Sequence, residues 1–274
     1  MQLDRDGVRM TRPNRITSPT CSDGLHWQVT DDGSRTLWNE HLNETYHSGS
    51  GAVAESIVVY LKNSGVFDRL VQAKETAVLE YGLGTATAFL LTAATAIVYR
   101  APLSYCALEL SLLPASIVGD LQFTTKSLEP NSGGAISEAE FRDVLEMAQQ
   151  LVPRFAQWRA ELPDEVPAGE FKYCVNEHVE LLVVVGDAAE YRSSGERFDA
   201  VYFDPFSPST CPELWTRNVF QASFDALRVG GVFTSYCVKA TVRRELVQVG
   251  FLVERLKGPA GGKREVLRAA KLGG

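Results

Sequence analysis

The chain predicts an α/β fold: a Rossmann-like, mostly parallel sheet flanked by helices. Three observations carry this. A short β-rich run at Ala77 to Glu80 meets a glycine loop, then an apolar helix from Thr87 to Tyr99, then a second strand from Leu103 to Leu108, which is the start of a βαβ unit. A buried strand, Ala200 to Phe203, runs straight into an acidic residue, Asp204, and a proline-rich loop. From there strands and helices alternate almost to the end of the chain. In open sheets of this kind ligands bind just past the carboxyl ends of the strands, so residues at those ends are the first candidates for function.

The elements follow in order. Residues 1 to about 18 are polar and proline-containing and are expected to be poorly ordered. His26 to Thr30 and Ser34 to Trp38, separated by D-D-G, predict a β-hairpin. Residues 1–45 therefore read as an N-terminal extension carrying a hairpin, and 46–274 as the main domain. Ala52 to Asn63 has helical apolar spacing through Ile57, Val58 and Leu61. After the βαβ unit comes a loop, N-S-G-G at Asn131 to Gly134. Ser137 with Glu140 three residues on then forms a capping box, opening a helix to about Leu151, with more helix near Phe155 to Leu162. Phe171 to Val175 and Val179 to Val185 read as a hairpin that ends in Gly186-Asp187. Strand Ala200 to Phe203, a helix carrying Trp215 and Phe220, strand Gly231 to Tyr236, helix Thr241 to Gln248 and a hairpin, Phe251 to Arg255 with Glu265 to Ala269, complete the order.

Composition narrows the function classes. A chain of 274 residues, 45% hydrophobic and 22% charged, can bury a full core without disulfides or metals. The five cysteines are scattered with no C-x-x-C pair, which argues against zinc and a disulfide framework and for reduced thiols in a cytoplasmic protein. The N-terminus has mixed charges and no apolar core of a signal peptide, and the apolar run near Thr85 to Tyr99 is too short to span a membrane. Net charge is −7, yet from Lys239 onward nine basic residues face three acidic ones, so a +6 tail sits on a −13 body. That asymmetry marks either a phosphate-binding face or a solvated helix and hairpin.

Three strand ends carry chemistry. In E-Y-G-L-G-T-A, Glu80 to Ala86, Gly82 and Gly84 let backbone N–H groups approach a ligand, with Thr85 opening the next helix. An acidic residue before the loop disfavours a polyphosphate, and Glu109, 29 residues after Glu80, stands where a carboxylate takes ribose hydroxyls. S-adenosylmethionine fits both facts better than NAD. Asp187 in G-D-A, with Ala188 beside it, is placed to accept from an adenine amino group or simply to cap a helix. Asp204-Pro205-Phe206 resembles the acidic Pro-aromatic turn of amino-group methyltransferases, in which the turn positions the target nitrogen and accepts its proton. Tyr46 and His47 could close over a substrate amine, or His47 could be structural.

The motifs in this order, D-P-F-S-P, P-E-L-W-T at Pro212 to Thr216, V-R-R-x-L at Val242 to Leu246, G-F at Gly250-Phe251 and K-R-E at Lys263 to Glu265, resemble the methyltransferase domain of the MnmC family and still more its stand-alone relatives. The resemblance covers about 220 residues. It implies a class I S-adenosylmethionine-dependent methyltransferase fold, a seven-stranded sheet ending in an antiparallel hairpin. It implies S-adenosyl-L-methionine near Glu80, Gly82, Gly84, Thr85, Glu109, Asp187, Ala188 and Asp204, with catalysis at Asp204, Phe206 and His47. It implies N-methylation of 5-aminomethyl-(2-thio)uridine at the tRNA wobble position. Tyr46, Arg243, Arg244, Lys263 and Arg264 then become substrate contacts in the anticodon region, and Phe206 or Trp215 a stacking platform for the splayed base. No metal is expected, and no FAD-dependent oxidase domain is expected in the chain. The third glycine of the family's loop is Ala86 here. An enzyme acting on a small amine, and a binding module without chemistry, remain as alternatives.

Overall fold

Four short strands, β1 (Thr17–Pro19), β2 (Leu25–Val29), β3 (Arg35–Asn39) and β4 (Glu44–Thr45), form an antiparallel sheet at the start of the chain. The D-D-G hairpin is there, pairing Val29 with Arg35, but it is the centre of four strands and not a free ribbon. Two isolated strands are marginal in water, and the flanking strands satisfy both outer edges. The computed structural model describes residues 17–123 and 138–273. Residues 1–16, the N-S-G-G loop at 131–134 and the candidate N-cap Ser137 lie outside the described residues.

The main sheet has eight strands: β5 (Thr76–Tyr81), β6 (Leu103–Glu109), β7 (Gly169–Cys174), β8 (Val179–Val185), β9 (Phe198–Phe203), β10 (Leu227–Ser235), β11 (Leu252–Lys257) and β12 (Glu265–Ala270). Their order is β11-β12-β10-β9-β5-β6-β8-β7. The five central strands are parallel, and β11, β12 and β7 are antiparallel to their neighbours. The family resemblance implies seven strands; the eighth, β7, adds an edge. Its Tyr173 packs against the rings of Phe155 and Trp158 and its Phe171 against the core, while Glu170 and Lys172 face water and blunt the edge.

Helices cover both faces. One face carries α1 (Ala52–Glu55), α2 (Val66–Val71), α3 (Thr87–Val98), α4 (Ala115–Gly119) and α5 (Glu138–Ala160); the other carries α6 (Arg217–Ala226) and α7 (Ala240–Val249). Two departures from the expected helices matter. Helix α1 continues into a π-helical segment, Ser56–Lys62, in which Asn63 N donates to Val58 O five residues back. Helix α5 is one 23-residue helix with Pro153 inside it, not two pieces. A proline there costs about 3 kcal/mol. Phe141, Val144, Leu145, Ala148, Leu151, Val152 and Phe155 are all buried along one face, so the apolar stripe outweighs the break. Trp215 precedes α6, and only Phe220 lies within it.

Parallel strands bring the carboxyl ends of β5, β6, β8 and β9 to one side. The register pairs Glu80 with Tyr202 and Tyr81 with Phe203, which fixes Asp204 beside the glycine loop. The N-terminal sheet is tied to that side by Glu44, whose Oε1 accepts from Ser207 N at 2.9 Å and whose Oε2 accepts from Ser207 Oγ and Thr210 Oγ1.

Candidate active site

A cavity of about 720 Å³ opens at these strand ends. Its floor is the glycine loop, and its roof comes from the β4 region, Glu44 to Ser48. Glu109, Asp187 and Asp204 all line it, as do Gly82, Gly84, Thr85, Ala188, Phe206, Tyr46 and His47. Residues from one βαβ unit, from a later strand pair and from the N-terminal extension therefore meet in one chamber.

One half of the chamber is built around the loop. Gly82 and Gly84 have φ of +86° and +51°, a region that disfavours side chains. Close packing excludes side chains as well. A Cβ on Gly82 would stand 3.0 Å from the Asp204 carbonyl, and one on Gly84 would stand 3.1 Å from the Tyr46 ring. Ala86, where the family pattern has glycine, is also left-handed at φ +63°. That conformation costs a non-glycine residue roughly 1–2 kcal/mol. Glu109 Oε2 accepts from Gly84 N at 2.9 Å, and its Oε1 from Ser111 N at 3.0 Å. Burial pushes its carboxyl up, and backbone N–H groups of Gly84, Ser111, Leu110 and Leu83 pull it back. Asp187 Oδ1 accepts from Ala189 N at 2.8 Å.

Glu80 stands beneath this half and does not line the cavity. It is 1% exposed, and its Oε2 has no hydrogen-bond partner. Tyr105 is close enough to favour the charged form, but its hydroxyl also lacks a partner of sound geometry. Burial, followed by repulsion from Asp204, raises the Glu80 carboxyl well above the usual range.

The other half centres on Asp204. Tyr60 Oη, on the π-helical segment, donates to Asp204 Oδ1 at 2.5 Å. Burial and then the Glu55 charge raise the Asp204 carboxyl well above its ordinary value; the Tyr60 bond and Lys263 oppose them. The turn is braced through its carbonyls: Pro205 O accepts from Tyr236 Oη at 2.9 Å, and Phe206 O from Trp215 Nε1 at 2.8 Å. Trp215 is thus a buried anchor, 9% exposed and edge-on to Phe203, while Phe206 faces the chamber and meets the Tyr46 ring at 5.0 Å. Burial first, then Glu109, pushes the Tyr46 phenol up to about 12. His47 is buried with Nδ1 3.2 Å from Thr36 Oγ1, and burial lowers its imidazole to about 4. At neutral pH it is uncharged.

Tyr60, Glu55, Tyr236 and Glu44 belong to this half and are not among the residues the sequence singles out. Glu44 and Tyr236 carry no motif. Tyr60 could have been found only by knowing that its helix widens by a residue per turn, a feature that recurs at functional sites.

The basic tail is dispersed. Arg255 pairs with Glu265, Arg268 with Glu254, and the buried Lys271 with Glu196, so these three do not form a free phosphate-binding face. Arg243 and Arg244 lie in the first half of α7, which follows β10 on the cavity's side; neither they nor the exposed Arg264 line it. Lys263 does line it. Seven carboxylates line the chamber (Asp23, Glu44, Glu55, Glu109, Asp187, Asp204 and Glu213), and Lys263 is the one lysine or arginine among its described lining residues. No cluster of metal-ligating side chains occurs among the described residues, and no described helix is long and apolar enough to cross a membrane.

Residues 149–272 match a family of S-adenosyl-L-methionine-dependent methyltransferases. The chain is 26% identical over 247 residues to the tRNA 5-methylaminomethyl-2-thiouridine biosynthesis bifunctional protein MnmC of Nitrosospira multiformis, covering 89% of this chain and 36% of that protein. It is 29% identical over 233 residues to the protein of the same name from Paraburkholderia phytofirmans, covering 85% and 33%. The chain thus spans about a third of the length of the curated relatives it matches. Among solved structures, MNMC2 from Aquifex aeolicus superposes with a TM-score of 0.69 at 24% identity, over 91% of this chain and 71% of that one, which establishes the class I methyltransferase fold.

Proposed function

We propose that this chain, an S-adenosyl-L-methionine-dependent methyltransferase similar over most of its length to MnmC, methylates the amino nitrogen of 5-aminomethyl-(2-thio)uridine at the tRNA wobble position. The observation that carries this reading is the Asp204-Pro205-Phe206 turn, braced on three sides and facing the same chamber as the glycine loop. The chamber fits the cofactor. Glycines stand where side chains would collide, and carboxylates instead of phosphate-binding cations line the loop. Gly82, Gly84, Thr85 and Ala188 would give its walls, Glu109 would take the ribose hydroxyls and Asp187 the adenine amino group. When bound, S-adenosyl-L-methionine supplies an electrophilic methyl on a sulfonium.

The protein's own residues then have three tasks. Phe206 and Tyr46, in edge contact, form an apolar wall that can hold a splayed pyrimidine and exclude water. Asp204 Oδ1 is taken by Tyr60, so Oδ2 is the atom left to accept a hydrogen bond, and then a proton, from the acceptor nitrogen. Its raised proton affinity makes it a better proton acceptor than an exposed aspartate. His47, neutral and held by Thr36, shapes the roof. Arg243, Arg244 and Arg264, outside the mouth, would meet backbone phosphates.

The test is transfer of labelled methyl from S-adenosyl-L-methionine to tRNA carrying 5-aminomethyluridine, with unmodified tRNA as control. Label on the modified tRNA alone is expected. The excess of carboxylates favours one second reading, a small-molecule amine as acceptor. Label on neither tRNA with cofactor binding intact by calorimetry overturns the tRNA reading in its favour.

A further inference from the structure

The family resemblance assigns Lys263 to RNA phosphate, and the structure places it elsewhere. It sits on the strap between β11 and β12, G-P-A-G-G-K-R, which folds back so that Gly258 N donates to Arg264 O at 2.9 Å. A Cβ on Gly258 would overlap the Lys263 carbonyl, and a Cβ on Gly262 would come within 3.8 Å of Ser50 Cβ, so the strap lies against the roof of the chamber. Its ammonium stands 3.6 Å from the centroid of the Tyr236 ring. The Tyr236 hydroxyl is the one that braces Pro205, next to Asp204. Lys263 is exposed at one end, yet its ammonium rests on an aromatic face and is the one lysine or arginine charge among the described lining residues of a chamber with seven acidic side chains.

We infer that Lys263 is an electrostatic residue of the methyl-transfer site, the resident counter-ion of Asp204 and Glu55, and that it sets the pH at which the acceptor amine becomes reactive. This rests on the reaction proposed above. The groups facing Asp204 are Glu55 from α1, Tyr60 from the π-helical segment, Glu80 from β5, Tyr105 from β6, Tyr236 after β10 and Lys263 from the strap. Asp32 lies behind Glu55, and Glu44 behind Tyr236. Of these Lys263 alone is cationic. It favours the carboxylate forms of Asp204 and Glu55. A fixed cation beside an incoming alkylammonium also favours its neutral, nucleophilic form. Both effects act in the same direction: without the lysine, a higher pH is needed before Asp204 is charged and the amine is free.

The experiment compares wild type, Lys263→Met and Lys263→Arg. The acid limb of kcat/KM against pH is expected to move up by about one pH unit in Lys263→Met and to stay in place in Lys263→Arg. An unchanged limb with a raised KM for tRNA and a flatter salt dependence returns Lys263 to phosphate binding and overturns the inference. A uniform loss at every pH, with a lowered melting temperature, makes the lysine structural and overturns it equally. A second readout needs no substrate: carboxyl carbon NMR of aspartate-labelled protein, with Asp204→Asn for assignment. Asp204 should titrate about one unit higher in Lys263→Met. If that shift appears while no tRNA is methylated, the proposed reaction fails and the ion pairing stands; if tRNA is methylated and the shift is absent, the pairing fails alone.

Discussion

The two halves of the chamber are built differently. The glycine-loop half comes mainly from consecutive elements, β5, its loop, the start of α3 and the end of β6, with Glu109 bonded directly to Gly84 and Asp187 added from the end of β8. The Asp204 half is assembled from segments far apart in the chain. Tyr60 is 144 residues from Asp204, Glu44 is 163 residues from Ser207, Tyr236 follows β10, and Lys263 comes from the strap between β11 and β12. The first half is a local device that many chains share. The second is specific to what this chain does, and it costs more to assemble. It holds Glu55 and Asp204 in burial that favours their protonated forms. Function and stability should therefore separate in the Asp204 half and move together in the loop half.

The sharpest break of that comparison is at Asp204. Asp204→Ala is expected to lower kcat by about 100- to 10,000-fold. The melting temperature at pH 7 should hold or rise, because a carboxylate whose folded-state proton affinity is raised opposes folding above its unfolded pKa. Tyr60→Phe, which removes the donor to Oδ1, should have a smaller effect on kcat in the same direction. Substantial methyl transfer by Asp204→Ala would remove Asp204 from the mechanism. In the other half, Gly84→Val adds a side chain 3.1 Å from Tyr46 at φ +51°. Calorimetry should show S-adenosyl-L-methionine binding weakened by about 100-fold, which corresponds to about 3 kcal/mol, together with a lower melting temperature. Weakened binding without any loss of stability would show that the loop half is not a rigid local device.

Locality also explains what is legible in the sequence. The βαβ start, the strand ends and the closing hairpin are readable because each is coded by adjacent residues: glycines after a β-rich run, or alternating apolar positions. The edge strand β7 is legible as half of the hairpin with β8, whereas the four-stranded N-terminal sheet is under-read, since its short outer strands β1 and β4 have no periodic signature of their own. Pro153 splits helix α5 on a local rule, where a buried stripe of seven apolar residues decides the outcome. Glu109, Asp187 and Asp204 are legible as strand-end acids and do meet in one chamber. Tyr60 and Tyr236 are not, because nothing local distinguishes a tyrosine that braces a turn 144 residues away, as Tyr60 does, from one that packs in the core. Charge counting fails for a related reason. It cannot tell that Arg255, Arg268 and Lys271 are paired with Glu265, Glu254 and Glu196.

His47 tests whether the roof belongs with the loop half or the Asp204 half. Its folded pKa lies near 4, against 6.5 for the free side chain. A depressed histidine favours folding with its neutral form, so its contribution is fully present above pH 6.5 and is lost as pH falls toward 4. The difference amounts to about 3 kcal/mol. Chemical denaturation of His47→Gln should therefore show a shallower loss of stability between pH 6.5 and 4 than wild type. Its kcat/KM profile between pH 6 and 9 should keep its shape, since neutral His47 titrates below that window. A shifted profile would move His47 from the roof into the proton path.

The smallest effect expected is at the mouth. Arg243 donates from Nε to the Val238 carbonyl at 3.2 Å, and Arg244 is exposed; both project from α7 outside the chamber. Reversing them together, Arg243→Glu with Arg244→Glu, should raise KM for tRNA several-fold and reduce the dependence of binding on salt by roughly one unit of slope for each phosphate no longer neutralised. Calorimetric affinity for S-adenosyl-L-methionine and kcat at saturating tRNA should stay where they are, because neither arginine lines the cavity. An equal loss of cofactor and tRNA binding would mean that α7 supports the chamber itself and that its cations are not an RNA-facing rim. With three of the nine tail cations already paired within the fold and Lys263 lining the chamber, these two stand with Lys239, Lys257 and Arg264 as the tail cations outside the chamber from which an electrostatic contribution to tRNA affinity would come.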